Sequence, residues 1–147
     1  MKTTILVLSL ILLSISPAAA LPPEAIGHIQ TLKGAASILR DNNTVPVAMG
    51  VPVYRGDTIR TAKTGSVGIV LADDTTFSLG PDSEIVLKDY LFNPKEGKFA
   101  IIARMVKGTF TYLSGIIGKL SPNSIHLEIP DATIAVRGTR LLIQIEE

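Results

Sequence analysis

Two histidines, a group of acids, a lysine beside a glycine and one arginine are the residues of this 147-residue chain whose chemistry could define an activity. His28 and His126 stand far apart without cysteine neighbours. Their spacing puts no two ligands on one helix face or hairpin, so no metal site is expected. Asp73, Asp74, Asp82 and Glu84 gather around two turns, where their oxygens could cradle a hard cation; solvated turn residues explain them more simply. Gly118-Lys119-Leu120-Ser121 has the tail of a phosphate loop but lacks its first glycine and the helix that should follow. Gly65-Ser66-Val67-Gly68 lacks the spacing of a nucleophile elbow. With no acid, base and nucleophile at a working spacing, neither enzymatic activity nor a cofactor is expected. The alternative is an enzyme or polysaccharide-binding protein of the cell envelope whose site assembles from distant strands.

The remaining conspicuous residues read as architecture. In the stretch from Ile129 to Thr139, Ala132, Ile134 and Val136 alternate with polar or small residues, and Leu141, Ile143 and Ile145 resume the alternation beyond Arg137-Gly138-Thr139. This predicts a bent strand pair that is integral to the core. Pro130 cannot donate to a ladder and Gly138 can take positive φ at no steric cost, so both punctuate it. Arg137 has a fork of donors suited to an acidic ligand, but beside Gly138 it is expected to satisfy loop carbonyls. Gly56-Asp57 reads as a turn in which Asp57 bonds the amides that follow it.

The elements that must position these residues are strands. Ile26 to Leu32 lead into Lys33-Gly34, and Ala35 to Leu39 lead into the turn-rich Arg40-Asp41-Asn42-Asn43, which predicts a hairpin. Val45 to Val47 and Val51 to Val53 carry Pro46 and Pro52, which suits edge segments. Val67, Ile69 and Leu71, a turn at Ala72-Asp73-Asp74, then Phe77 and Leu79 form the clearest hairpin. Ile85 and Leu87 alternate ahead of a polar loop at Asn93 to Gly97. Phe99 to Met105 follow, Gly108 interrupts the run, and Ser114 to Asn123 is the loosest region. No segment of ten residues sustains helical spacing with a capping signal, so helices should be few and short. The expected class is all-β, with short antiparallel and stacked strands in a single solenoid-like or sandwich-like domain over residues 21–147.

The start of the chain fixes the expected compartment. Met1-Lys2, an apolar run from Ile5 to Ile15 and Ala18-Ala19-Ala20 form a secretory signal peptide over residues 1–20, with cleavage expected after Ala20. The product should be periplasmic or secreted, with no transmembrane helix after cleavage. Fourteen basic residues face thirteen acidic ones, and losing Lys2 leaves the remainder formally neutral. Neutrality argues against nucleic acid as a partner. The absence of cysteine means that packing alone must hold an exported fold together.

Gly27-His28-Ile29 with Gly34, Gly50 followed by Gly56-Asp57-Thr58-Ile59-Arg60-Thr61, Ser66-Val67 to Leu71, Asp73-Asp74-Thr75, Gly108, and Pro130-x-Ala132 through Val136-Arg137-Gly138-Thr139 resemble the FecR domain. The resemblance implies a periplasmic domain and a stacked-strand fold. In full-length relatives this domain belongs to an inner-membrane protein that relays a signal from an outer-membrane iron transporter to a cytoplasmic sigma factor. This chain shows no cytoplasmic or spanning segment, so a fold and an exported context carry over and a relay by this chain alone is not expected. The sequence departs from the family at Asp73-Asp74, where Asp-Gly is usual; a non-glycine there must accept positive φ or widen the turn. The expected role is an interaction or sensing module with an envelope protein as partner. Ile116, Ile117 and Leu120 are the expected contact residues, because few turns surround them to bury them; the alternative is that these three cap one end of the core.

Overall fold

The computed structural model describes residues 24–146; the signal peptide expected over residues 1–20 lies outside them. The strands are β1 (Gly27–Lys33), β2 (Ala36–Arg40), β3 (Asn43–Pro46), β4 (Pro52–Val53), β5 (Thr58–Thr61), β6 (Ser66–Leu71), β7 (Thr76–Leu79), β8 (Glu84–Asn93), β9 (Lys98–Leu113), β10 (Ile125–Ile129), β11 (Ala132–Ala135) and β12 (Arg140–Ile145). A single helical turn, α1 (Ile116–Leu120), and a 3-10 turn at Pro122–Ser124 complete them. The fold is all-β and mostly antiparallel, in a curled half-barrel.

β9 is the spine. On one edge its first part pairs with β8 and its second part with β7; on the other edge β10 pairs with the first part and β12 with the second. Two wings leave this spine. One runs β8-β5-β2-β3, the other β7-β6-β1-β4, and β10 carries β11. The wings part at Gly108, which has φ +102. A side chain there would collide with Ser83, whose hydroxyl accepts the Thr109 N–H at 3.0 Å. Thr61 locks the same corner: its hydroxyl donates to the Gly80 carbonyl at 2.7 Å and accepts the Ser83 N–H at 2.9 Å. Gly108 thus bends β9 where the sequence suggested a break, and the ladder continues through it.

Alternation along the strands builds the core. Ile69 and Phe77 from one wing and Ile38, Ile59 and Ile85 from the other meet Ile101, Met105, Phe110 and Tyr112 of β9 and Ile143 of β12 in a single cluster. Burying a side chain of this kind contributes about 1.5–3 kcal/mol, and Phe77 and Tyr112 add a tilted ring pair at 5.5 Å.

The expected hairpin across Ala72-Asp73-Asp74 forms, and the turn at Arg40 to Asn43 joins β2 to β3. β1, however, pairs with β6 and β4 rather than with β2. β3 and β4, the proline-bearing segments, are the two ends of the main strand order, as their prolines require. The strands on either side of Arg137-Gly138-Thr139 do not pair with each other: β11 lies on β10 and β12 on β9, with Gly138 at φ +120 between them.

Candidate functional site

The acids of the two central turns do not form a cation cradle, because three of them are tied up with bases or with the protein interior. Asp82 pairs with Lys107 at 3.1 Å and Glu84 with Arg60 at 3.2 Å. Asp74 is exposed at φ 69, so this corner does adopt positive φ without glycine. Asp73 is fully buried rather than solvated. Its Oδ1 accepts the Thr75 N–H at 3.3 Å and the Tyr90 hydroxyl at 3.0 Å; its Oδ2 accepts the Thr75 hydroxyl at 2.7 Å and the Ile117 N–H at 3.0 Å. Four donors thus fill the carboxylate, which is how a charge without a cationic partner is tolerated inside. Burial, and then the charge of Asp73, push the Tyr90 hydroxyl pKa well above the ordinary tyrosine value. Among the described residues, no group of three or more histidines and acids is placed to hold a metal ion.

The Asp73 cage has a second consequence, for α1. A five-residue helix has too few internal hydrogen bonds to form alone, and its N-cap, Gly115, offers no side-chain cap. The missing cap comes from the β6–β7 turn. The Asp73 carbonyl takes the Ile116 N–H at 2.8 Å and its carboxylate takes the Ile117 N–H. A side chain at Gly115 would collide with the backbone of Asp73 and Thr75, so glycine is required for this approach. Ile117 is fully buried, which pins the helix from below.

The three expected contact residues therefore separate. Ile117 belongs to the core, while Ile116 is 38% exposed and Leu120 60% exposed. Four residues apart, Ile116 and Leu120 lie on one helical face. Leu113, at the end of β9 just before the helix, is also exposed. The result is a short apolar ridge on a rigidly anchored turn.

Asp57 is the other buried carboxylate among the described residues, and it too is satisfied from within the fold. Asp57 is 1% exposed and accepts both Nε and Nη2 of Arg40, at 2.9 and 2.7 Å, together with the preceding Tyr54 N–H at 2.9 Å. Among the described residues its carboxylate accepts none of the amides that follow it, contrary to the sequence reading; the Leu87 N–H goes instead to the Asp57 backbone carbonyl at 2.9 Å. The Arg40 guanidinium lies 4.5 Å over the Tyr54 ring, and its hydrogen bonds to Asp57 push its pKa further up. Gly56, at φ +89, turns the chain so that its own N–H reaches the Leu87 carbonyl at 2.7 Å. A depression of about 450 Å³ is lined by these residues, but both Asp57 carboxylate oxygens already accept hydrogen bonds and Arg55 is committed to Tyr90 and Asp89. Pro130 and Asp131 form the two-residue turn between β10 and β11. Arg137 and Thr139 are exposed, and the Thr139 carbonyl accepts the Ser114 N–H at 2.8 Å. The Arg137 side chain reaches no loop carbonyl among the described residues. His28 and His126 are exposed on β1 and β10, in separate parts of the sheet.

Sequence reasoning missed Asp73, Tyr90, Ser83 and Thr61 as the polar residues that organise the interior. One signal was available for Tyr90. Ile85 and Leu87 set an odd-numbered apolar face, and Tyr90 and Phe92 switch it to even numbers, which requires a bulge; the ladder does shift between Leu87 and Asp89.

An all-β sheet curled about one long strand, with a helical turn caged by a buried aspartate, is the class this architecture defines. The sequence profile of the FecR protein family matches residues 57–147, and the chain belongs to that family. Among solved structures, a chain described as a cell surface anchoring domain is 32% identical, with a TM-score of 0.40, and the match covers 42% of this chain and 82% of that one. No curated protein matches.

Proposed function

We propose that this chain is an exported module of the cell envelope that acts by recognising a protein partner and not by catalysis. The observation that carries the reading is the ridge formed by Ile116 and Leu120, held outward while Ile117 between them is fully buried. With the exposed Leu113 just before the helix, these side chains form one contiguous apolar patch on an anchored turn, the kind of feature that serves as a contact surface. FecR membership supports an envelope setting and a regulatory or sensing role. The signal-peptide pattern over residues 1–20 and the neutral remainder support export without a nucleic-acid partner. Among the described residues no helix is long and apolar enough to cross a membrane.

The test is crosslinking in the native envelope with the parent protein and with Ile116→Asp and Leu120→Asp. Loss of a specific protein adduct, with the melting temperature unchanged, supports the reading. An undiminished adduct, or a collapse in melting temperature, refutes the surface.

A further inference from the structure

Every sheet edge presents unpaired backbone groups, and exported proteins normally blunt them. Here β3 ends in Pro46, β4 begins with Pro52, and β11 follows directly on the turn at Pro130. β12 is different. Arg140-Leu141-Leu142-Ile143-Gln144-Ile145 contains no proline and no lysine, and among the described residues it pairs with β9 alone.

The direction of its free groups follows from the ladder. Thr139 and Ser114 face each other in the same register, and the Ser114 N–H bonds the Thr139 carbonyl. Bonded and non-bonded pairs alternate in an antiparallel ladder. Thr139, Leu141, Ile143 and Ile145 thus direct their backbone groups at β9, whereas Arg140, Leu142 and Gln144 direct theirs at the open edge. Side chains alternate in step: Leu141, Ile143 and Ile145 turn towards the core, while Arg140, Leu142 and Gln144 are exposed, Leu142 at 69%. Leu141 and Ile145 are only half-buried, against 7% exposure for Ile143. The core therefore stays partly uncovered at this edge.

We propose that β12 pairs antiparallel with β12 of a second copy of this chain about a two-fold axis at Ile143. In that register Arg140 stands opposite Glu146 of the other copy at both ends, Leu142 opposite Gln144, and Leu141 opposite Ile145. The outward-pointing backbone groups meet one another, the half-buried Leu141 and Ile145 cover each other, and two opposite charges face across each end. A strand reading Arg at one end and Glu at the other is self-complementary only when antiparallel to itself, and this selects a second copy over a foreign strand.

Sedimentation velocity on the exported protein, over a range of concentrations, tests this. The parent should show a concentration-dependent dimer. Leu142→Pro removes an N–H that points away from β9, so it should abolish the dimer while the melt remains cooperative. Arg140→Glu and Glu146→Arg should each weaken the dimer about tenfold, through two exposed ion pairs lost at once. Combined, the two changes should restore it. A parent that stays monomeric at all concentrations overturns the proposal. So does a dimer indifferent to Leu142→Pro, or a charge swap that fails to rescue.

Discussion

Replacing Asp73 by asparagine changes one atom, and the cage around it fixes what that must cost. Each carboxylate oxygen accepts one backbone N–H, Thr75 at Oδ1 and Ile117 at Oδ2. The Thr75 hydroxyl can rotate to accept from an amide, and the Tyr90 oxygen, which already accepts the Asp73 N–H at 2.9 Å, could do so only as a second bond, but the two N–H groups cannot accept at all. Whichever way the asparagine lies, its NH₂ faces a backbone donor. One buried N–H is left unpaired, at about 1–3 kcal/mol, and the surviving bonds lose their charge assistance. About 3 kcal/mol in all is a large part of a typical domain's stability. For a domain of this size that corresponds to a fall of about 10 °C in melting temperature. The loss should be concentrated in α1, because the Ile117 N–H is one of the two donors at risk. Thermal unfolding with hydrogen exchange measures both effects. A melting temperature within about 2 °C of the parent, with the amides of Ile116 to Leu120 equally protected, would show that the cage does not hold the helix.

Gly108→Ala should cost several kcal/mol, since φ +102 and the collision with Ser83 add together; an unchanged denaturant midpoint refutes the bend at the spine. Arg137→Ala should leave the melt unchanged and Gly138→Val should lower it, because Arg137 is exposed and Gly138 sits at φ +120; equal effects of the two in one differential scan would contradict this. Stability should fall at alkaline pH. The folded-state pKa of Tyr90 is raised, so its contribution is complete below the ordinary tyrosine value near 10 and declines as pH rises above it. Tyr90→Phe should flatten that decline in pH-dependent urea melts, whatever it costs at neutral pH.

The strands with regular alternation were legible in the sequence. Ile69 and Phe77 sit across a short turn, and Pro46 and Pro52 announce edges, because both signals are local. Three features were not local. α1 has no cap of its own, and its donors are satisfied by a residue 44 positions away. Asp57 resembles a turn former, yet its main partner is Arg40, 17 positions earlier, and only the folded sheet brings them together. Gly108 looks like an end to a strand because a glycine that breaks a ladder and one that bends it are the same letter. Ile117 illustrates the limit at a site: three apolar residues in a loose stretch look alike until a cap from a distant turn decides which one faces inward.

We propose that this FecR-family domain works through the ridge of Ile116 and Leu120. The most direct measurement places a photo-crosslinking residue at position 116 or 120 in the native envelope, with position 117 and an exposed site on β1 as controls. A discrete protein adduct from 116 and 120, absent from both controls, is the expected result. Equal labelling from the β1 control, or no adduct from the ridge in protein that melts like the parent, would contradict the claim.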